Sequence, residues 1–172
     1  ESRHTILLVD GVRYGSATAG IPIWENIPLD MIERIEVLKG PASALYGADA
    51  AGGVVQIFTR RGAKGLHPYA SATLGSGSYR ELSAGLRGGM DNVSYALGVS
   101  HLSEKGFSST NPGVPFGNYN PDRDGIHQKS LNASLDWQFA QDWKLTTGVL
   151  YSDGTSHFDD GPGVDTRSSL RT

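Results

Sequence analysis

The sequence predicts two parts, a mixed α+β segment over residues 1–65 and then an all-β run of antiparallel transmembrane barrel strands over residues 66–172. Three observations carry that division. The stretch from Ile32 to Thr59, IERIEVLKGPASALYGADAAGGVVQIFT, strings strand-like and helix-like signals together around glycine turns. From Pro68 onward the helical signals vanish and apolar residues recur at every second position. The connections between these alternating runs are short at one end and long at the other, which is how outer-membrane barrels are strung.

Taken in order, Thr5 to Val9 is a short apolar strand stopped by Asp10-Gly11, a tight-turn pair. Val12 to Trp24 then mixes small residues with aromatics, and a loop of that kind suits contact with a ligand. Tyr14, Ser16, Thr18 and Trp24 are the candidate contact residues, although Tyr14 and Trp24 could equally pack the loop onto its own domain. Leu29 to Glu33 reads as one helical turn. Beyond it Ile35 and Val37 mark a strand, Gly40-Pro41 breaks it, and Ala42 to Tyr46 favour a short helix started by the proline and ended by Gly47. Val54 to Thr59 is a second strand, bounded by glycines and by Arg60-Arg61. The basic, glycine-containing stretch Arg60 to Gly65 is the candidate boundary.

Five alternating segments follow. Tyr69 to Leu74 is weak; Leu82, Ala84 and Leu86 form one apolar set, and Val93, Tyr95, Leu97 and Val99 the next. Leu131, Ala133, Leu135, Trp137 and Phe139 alternate with Ser130, Asn132, Ser134, Asp136 and Gln138, and Trp143, Leu145, Thr147, Val149 and Tyr151 repeat the pattern. Alternation alone does not separate a soluble sandwich from a membrane barrel, since both bury one face of each strand. The connections decide it. Gly88 to Asn92 and Ala140 to Asp142 are short, Ser103 to His127 is long, and a second long loop is expected from Ser152. Aromatic residues at Trp137, Phe139 and Trp143, and at Tyr151 on the far side, suit the two interfacial girdles of a lipid-facing surface.

Composition excludes several classes. The 172 residues carry a net charge of −3 and no cysteine, with 23 glycines against two methionines, and nothing in them suggests nucleic acid as a partner. The absence of cysteine is compatible with an oxidising envelope compartment. No signal peptide and no apolar run long enough for a membrane helix is present, and the chain is expected to begin upstream of Glu1. His4, His67, His101, His127 and His157 are scattered singly, with no G-x-S-x-G elbow and no H-E-x-x-H, so an enzyme is not expected.

Asp10-Gly11-Val12, followed from Ile32 by I-E-R-I-E-V-L-K-G-P-x-S-A-L-Y-G-A-x-A-x-G-G-V-V-x-I, resembles the second half of the plug domain of TonB-dependent outer-membrane receptors. The resemblance implies a plug held inside a barrel of about twenty-two strands, of which the first five would lie here. It implies residence in the Gram-negative outer membrane among its lipids, and energy delivered by TonB through an N-terminal segment outside this chain. A corrinoid such as cobalamin is the preferred substrate, with a ferric siderophore the alternative.

The long loop carries Asn120, Asp122 and Asp124 directly before Gly125, the spacing with which the first half of an EF-hand loop wraps Ca²⁺. The closing glutamate is missing, its position being Leu131, so any site must recruit Asp153, Asp159 or Asp160. The other reading is an Asx-rich turn without metal. Within the family this run, with Gly106-Phe107 before it, resembles the calcium-binding loops of cobalamin receptors. Ser108 departs from that pattern, which has an aspartate ligand there.

Overall fold

The computed structural model describes residues 4–16, 20–24, 26–41, 43–108, 113, 120–159 and 165–171. The chain divides into two compact units, residues 1–60 and 61–172.

The first unit is built on a four-stranded sheet: β1 (Thr5–Val9), β2 (Val12–Arg13), β3 (Ile32–Lys39) and β4 (Gly53–Thr59), in the order β2-β1-β4-β3. β1 lies parallel to β4, while β2 and β3 are antiparallel to their neighbours. A strand that is buried on both faces needs apolar residues at successive positions rather than at alternate ones. β1 meets that need, with Ile6, Leu7, Leu8 and Val9 all buried. Ile6, Leu8, Ala50 and Val54 make the core cluster. The edge strand β3 leaves Ile35, Val37 and Leu38 exposed. Between β3 and β4 the chain forms the expected helical turn, α1 (Ser43–Tyr46), then Gly47 at φ +91° and a 3-10 turn, Ala48–Ala50. Another 3-10 turn at Leu29–Met31 leads into β3.

Asp10 holds this unit together at two places. Asp10 and Gly11 both have positive φ, +49° and +84°, and pair Val9 with Val12 across a two-residue hairpin. The Asp10 carboxylate accepts from the Thr59 amide at 2.9 Å and from the Thr59 hydroxyl at 2.6 Å, fastening the end of β4 to the turn. Asp10→Ala removes both bonds and the residue type that tolerates the turn conformation. It is expected to cost about 2–3 kcal/mol, with Asp10→Asn costing less. Native-state hydrogen exchange of the β4 amides in the full-length protein reads the difference.

The second unit is a six-stranded antiparallel meander: β5 (Gly65–Leu74), β6 (Arg80–Gly89), β7 (Val93–Glu104), β8 (Ile126–Ala140), β9 (Trp143–Asp159) and β10 (Asp165–Arg171). This corrects the sequence reading twice. Six strands stand where five segments were expected, and the loop expected from Ser152 is strand, because β9 continues to Asp159 and pairs with β10. Ser152 to Asp159 contains an Asp-Gly pair that reads as a turn, but pairing on both edges overrides that local preference. Asp153 is thereby moved from a loop into a ladder, between Lys129 and Arg171.

Register sorts the two faces of the meander. Directly paired residues share a face, so Ala84, Val99, Leu131 and Tyr151 form one row of the apolar face. That face is the exposed one: Leu97 is 47%, Val99 48% and Val149 59% exposed. The opposite face buries Ser83, Gln128, Ser130 and Ser152, with Ser152 fully covered. Its polar groups bond to one another, Gln128 donating to Ser152 at 3.0 Å and Ser100 meeting Ser130. Trp137, Phe139 and Trp143 cluster at the short-turn end, with ring centroids 5.5 and 6.4 Å apart. On the polar face Tyr69, Gly85, Gly98 and Asn132 form one row. A Cβ added to Gly85 would meet the Tyr69 ring at 2.5 Å, and one on Gly98 would lie 2.7 Å from the Tyr69 hydroxyl. Tyr69 therefore lies flat across two strands because neither glycine carries a side chain.

Candidate ligand-binding site

The loop after β2 is closed on itself. The Ser16 amide donates to Ile21 O and the Gly20 amide to Ser16 O, both at 2.9 Å. Gly15 sits where a Cβ would stand 2.6 Å from Ile21 O, so a larger residue would prise the loop open. Tyr14 is anchored at both ends, its amide donating to Leu7 O at 2.9 Å and its hydroxyl to Asn26 O at 3.4 Å. Arg13 pairs with Asp49 at 2.8 Å and reaches Gly20 O at 3.4 Å. Together these residues line a cleft of about 450 Å³, walled by Thr5, Ile6 and Leu7 of β1 and by Ile21 and Pro22.

Of the expected contact residues, the cleft brings Tyr14 and Ser16 together. Trp24, 40% exposed, is not among its lining residues, and Thr18 lies outside the described residues. The sequence reading missed Arg13 as a lining residue. Its position two residues after the Asp10-Gly11 turn was the available signal, since the two-residue hairpin pairs it with Leu8 of β1.

The loop after β7 is braced at its base. Gly106 has φ +63°, and a Cβ there would collide with Asp124 O, so only glycine fits. The Asp124 amide donates to Phe107 O at 3.3 Å, Ser108 donates to Asn120 O at 2.5 Å, and the His157 amide donates to Gly125 O at 3.0 Å. The D-x-D-G run is thus tied to both the start of its own loop and β9. Nearby, Tyr79 donates to Glu81 at 2.7 Å. Burial first, then that carboxylate and Glu104, push the Tyr79 phenol up to about 12, so it remains a donor at neutral pH.

Asp122 and Asp124 sit in this braced run, but Asp153 is elsewhere, in an ion pair with Arg171 at 3.1 Å on the apolar face. Asp160 lies outside the described residues, as does the side chain of Asp159. Among the described residues no group of three or more His, Asp or Glu side chains is placed to hold a metal ion.

Residues 1–54 match the TonB-dependent Receptor Plug Domain family. Over 166 residues, 95% of its length, the chain is 35% identical to the vitamin B12 transporter BtuB of Photobacterium profundum. It belongs to the TonB-dependent receptor family. Among solved structures, the siderophore receptor PirA from Acinetobacter baumannii superposes with a TM-score of 0.72 at 25% identity, over 92% of this chain and 25% of that one. A mutant of the ferric enterobactin receptor PfeA from Pseudomonas aeruginosa, in complex with enterobactin, gives 0.71 at 25% identity, over 92% of this chain and 26% of that one. This receptor chain therefore spans about a quarter of the length of the relatives it matches. The family is an outer-membrane one, and its members named here are transporters and receptors rather than enzymes. The first unit is its plug.

Gly106→Ala in the full receptor is expected to free the base of the loop after β7. Limited proteolysis between Glu104 and Ile126 should quicken about tenfold or more, because a residue both strained and clashing costs about 1–3 kcal/mol locally.

Proposed function

We propose that this chain supplies plug and early barrel strands to a transporter that carries cobalamin, or a related corrinoid, across the Gram-negative outer membrane. The complete barrel would have about twenty-two strands, and TonB would power release of the plug. What carries the membrane placement is the reversed amphipathy of the second unit, whose apolar face is exposed while its serines and glutamine are buried. In water that arrangement would waste the apolar surface, whereas in a bilayer it places hydrocarbon against hydrocarbon. The corrinoid rests on the 35% identity to a vitamin B12 transporter. A ferric siderophore is the second reading, favoured by the superposition on siderophore receptors.

The facing is tested by two arginines. Val149→Arg puts a charge at mid-height of the lipid face and is expected to cost about 2–4 kcal/mol, while Ser134→Arg, on the polar face, is tolerated. Heat-modifiable mobility of the full receptor measures assembly, and an equal response to both changes would overturn the facing.

The substrate is tested by titrating cyanocobalamin and ferric enterobactin into the full receptor. Cobalamin is expected to bind, and Tyr14→Ala to weaken it about tenfold through loss of one anchored contact of the cleft. Binding of ferric enterobactin alone would replace the corrinoid with the siderophore. Repeating the titration with calcium and with chelator addresses Asp122 and Asp124. If they hold calcium together with carboxylates such as Asp159 and Asp160, Asp122→Ala with Asp124→Ala weakens cobalamin only when calcium is present, by about five- to 150-fold. Equal affinities in both conditions would leave these aspartates as turn formers.

A further inference from the structure

The cleft beside β2 contains a cation that is already matched. Among the described residues that line it, Arg13 is the sole charged group, and the others are apolar, hydroxyl-bearing or glycine. Its guanidinium donates through Nη1 to Asp49 Oδ2 at 2.8 Å and through Nη2 to Gly20 O at 3.4 Å. Asp49 is not a lining residue. It reaches the guanidinium from the 3-10 turn Ala48–Ala50, outside the cleft wall.

Both ends of this pair are set by the backbone. Arg13 sits on β2, whose ladder places it opposite Leu8. Asp49 directly precedes Ala50, which is fully buried in the core cluster and whose amide donates to Gly47 O at 3.1 Å. Farther on, the Gly52 amide donates to His4 O at 2.7 Å, and a Cβ on Gly52 would stand 2.9 Å from that oxygen, so the turn is pressed against the residue before β1. With side chains 51% and 57% exposed, the ion pair itself adds little to stability, because water and salt screen it. Its consequence lies in the charge that the cleft presents.

An unpaired guanidinium in a cleft draws anions, whereas one matched by a carboxylate presents almost no net charge. A ferric siderophore of the catecholate type is strongly anionic, since its catecholate oxygens outweigh the charge of the iron. A corrinoid such as cyanocobalamin is neutral overall, and the amides on its rim ask for hydrogen bonds and apolar contact rather than for a charge. The masked cleft, with Tyr14 and Ser16 beside Ile6, Leu7 and Ile21, matches the second kind of ligand. Discrimination of this kind works by withholding a favourable contact from the wrong ligand.

We infer that Asp49 sets the charge selectivity of the cleft: by masking Arg13 it deprives an anionic ligand of its cation and leaves the cleft to uncharged corrinoids. This rests on the cleft and substrate proposed above, and the experiment separates the two. Full receptor carrying Asp49→Asn, Arg13→Gln or both is refolded, its assembly is checked by heat-modifiable mobility, and it is titrated with cyanocobalamin and with ferric enterobactin. The quantity read is the ratio of the two affinities. A wild type that binds no cyanocobalamin refutes the substrate reading alone, because the ferric enterobactin affinities of the variants still judge the masking. Asp49→Asn should shift the ratio toward ferric enterobactin about tenfold, the size expected of one released charge against a multiply charged ligand in a largely aqueous setting. Arg13→Gln alone, which uncovers the carboxylate, should shift it the other way, and the two changes together should restore the wild-type ratio. Salt at about 0.5 M, where the Debye length is ~4 Å, should cut the Asp49→Asn shift to about twofold. A ratio unmoved by Asp49→Asn overturns the proposal. So does a shift that persists when Arg13→Gln is added, a shift in the same direction from Arg13→Gln alone, or one that salt leaves undiminished.

Discussion

The hydrogen-bond register of the six-stranded meander fixes everything that its side chains do. From Gly65↔Gly89 to Asp165↔Asp159 the ladders are continuous except for one shift at Gln138/Ala140, beside the Trp137–Phe139–Trp143 cluster. A slip of one residue in any strand would exchange its faces, bringing Ser83, Ser130 or Ser152 out and turning Leu97 or Val149 in. The buried serines and glutamine guard against this, since they bond across strands in only one register, as Gln128 does to Ser152. Tyr69 adds a further lock, because its ring fits only over Gly85 and Gly98.

The plug reaches order by a different route. Its sheet is parallel at the centre, β1 against β4, and such a pair requires a long crossover. Here the crossover carries β3, α1 and two 3-10 turns, and the chain reverses at positions with positive φ, Gly40 and Gly47 among them. Gly53, at φ +136°, admits the backbone of Leu38 so closely that any Cβ would collide with its carbonyl. The glycines that made the stretch recognisable in the sequence are thus the places where backbone approaches backbone.

Much of this was legible in advance because it depends on period and on turn chemistry. Alternation located β6, β7, β8 and the first half of β9, and Asp10-Gly11 announced its hairpin. The second half of β9 and all of β10 were not legible. Their residues, including Ser152, Asp153, Gly154 and Thr155, are polar or turn-forming, and only pairing with neighbours makes them strand. For the same reason Asp153 was read as a loop carboxylate when it belongs to a ladder. Tyr14 and Ser16, read as members of an aromatic and small-residue loop, line the cleft together with Arg13, whose place two residues past the Asp10-Gly11 turn went unread because its strand is only two residues long. No local pattern could have revealed that Tyr69 would lie across Gly85 and Gly98, since that contact spans three strands.

β9 runs for 17 residues, about 56 Å of extended chain at the usual rise, which is roughly twice what an apolar band of ~25 Å requires. The excess is held in a ladder with β10 rather than as a free loop. Each residue held there has already surrendered its backbone freedom on folding, about 1–2 kcal/mol apiece, and surrenders nothing more when something docks against it. The paired part of the hairpin, Asp153 to Phe158 against Thr166 to Arg171, is therefore a surface whose shape is settled before contact.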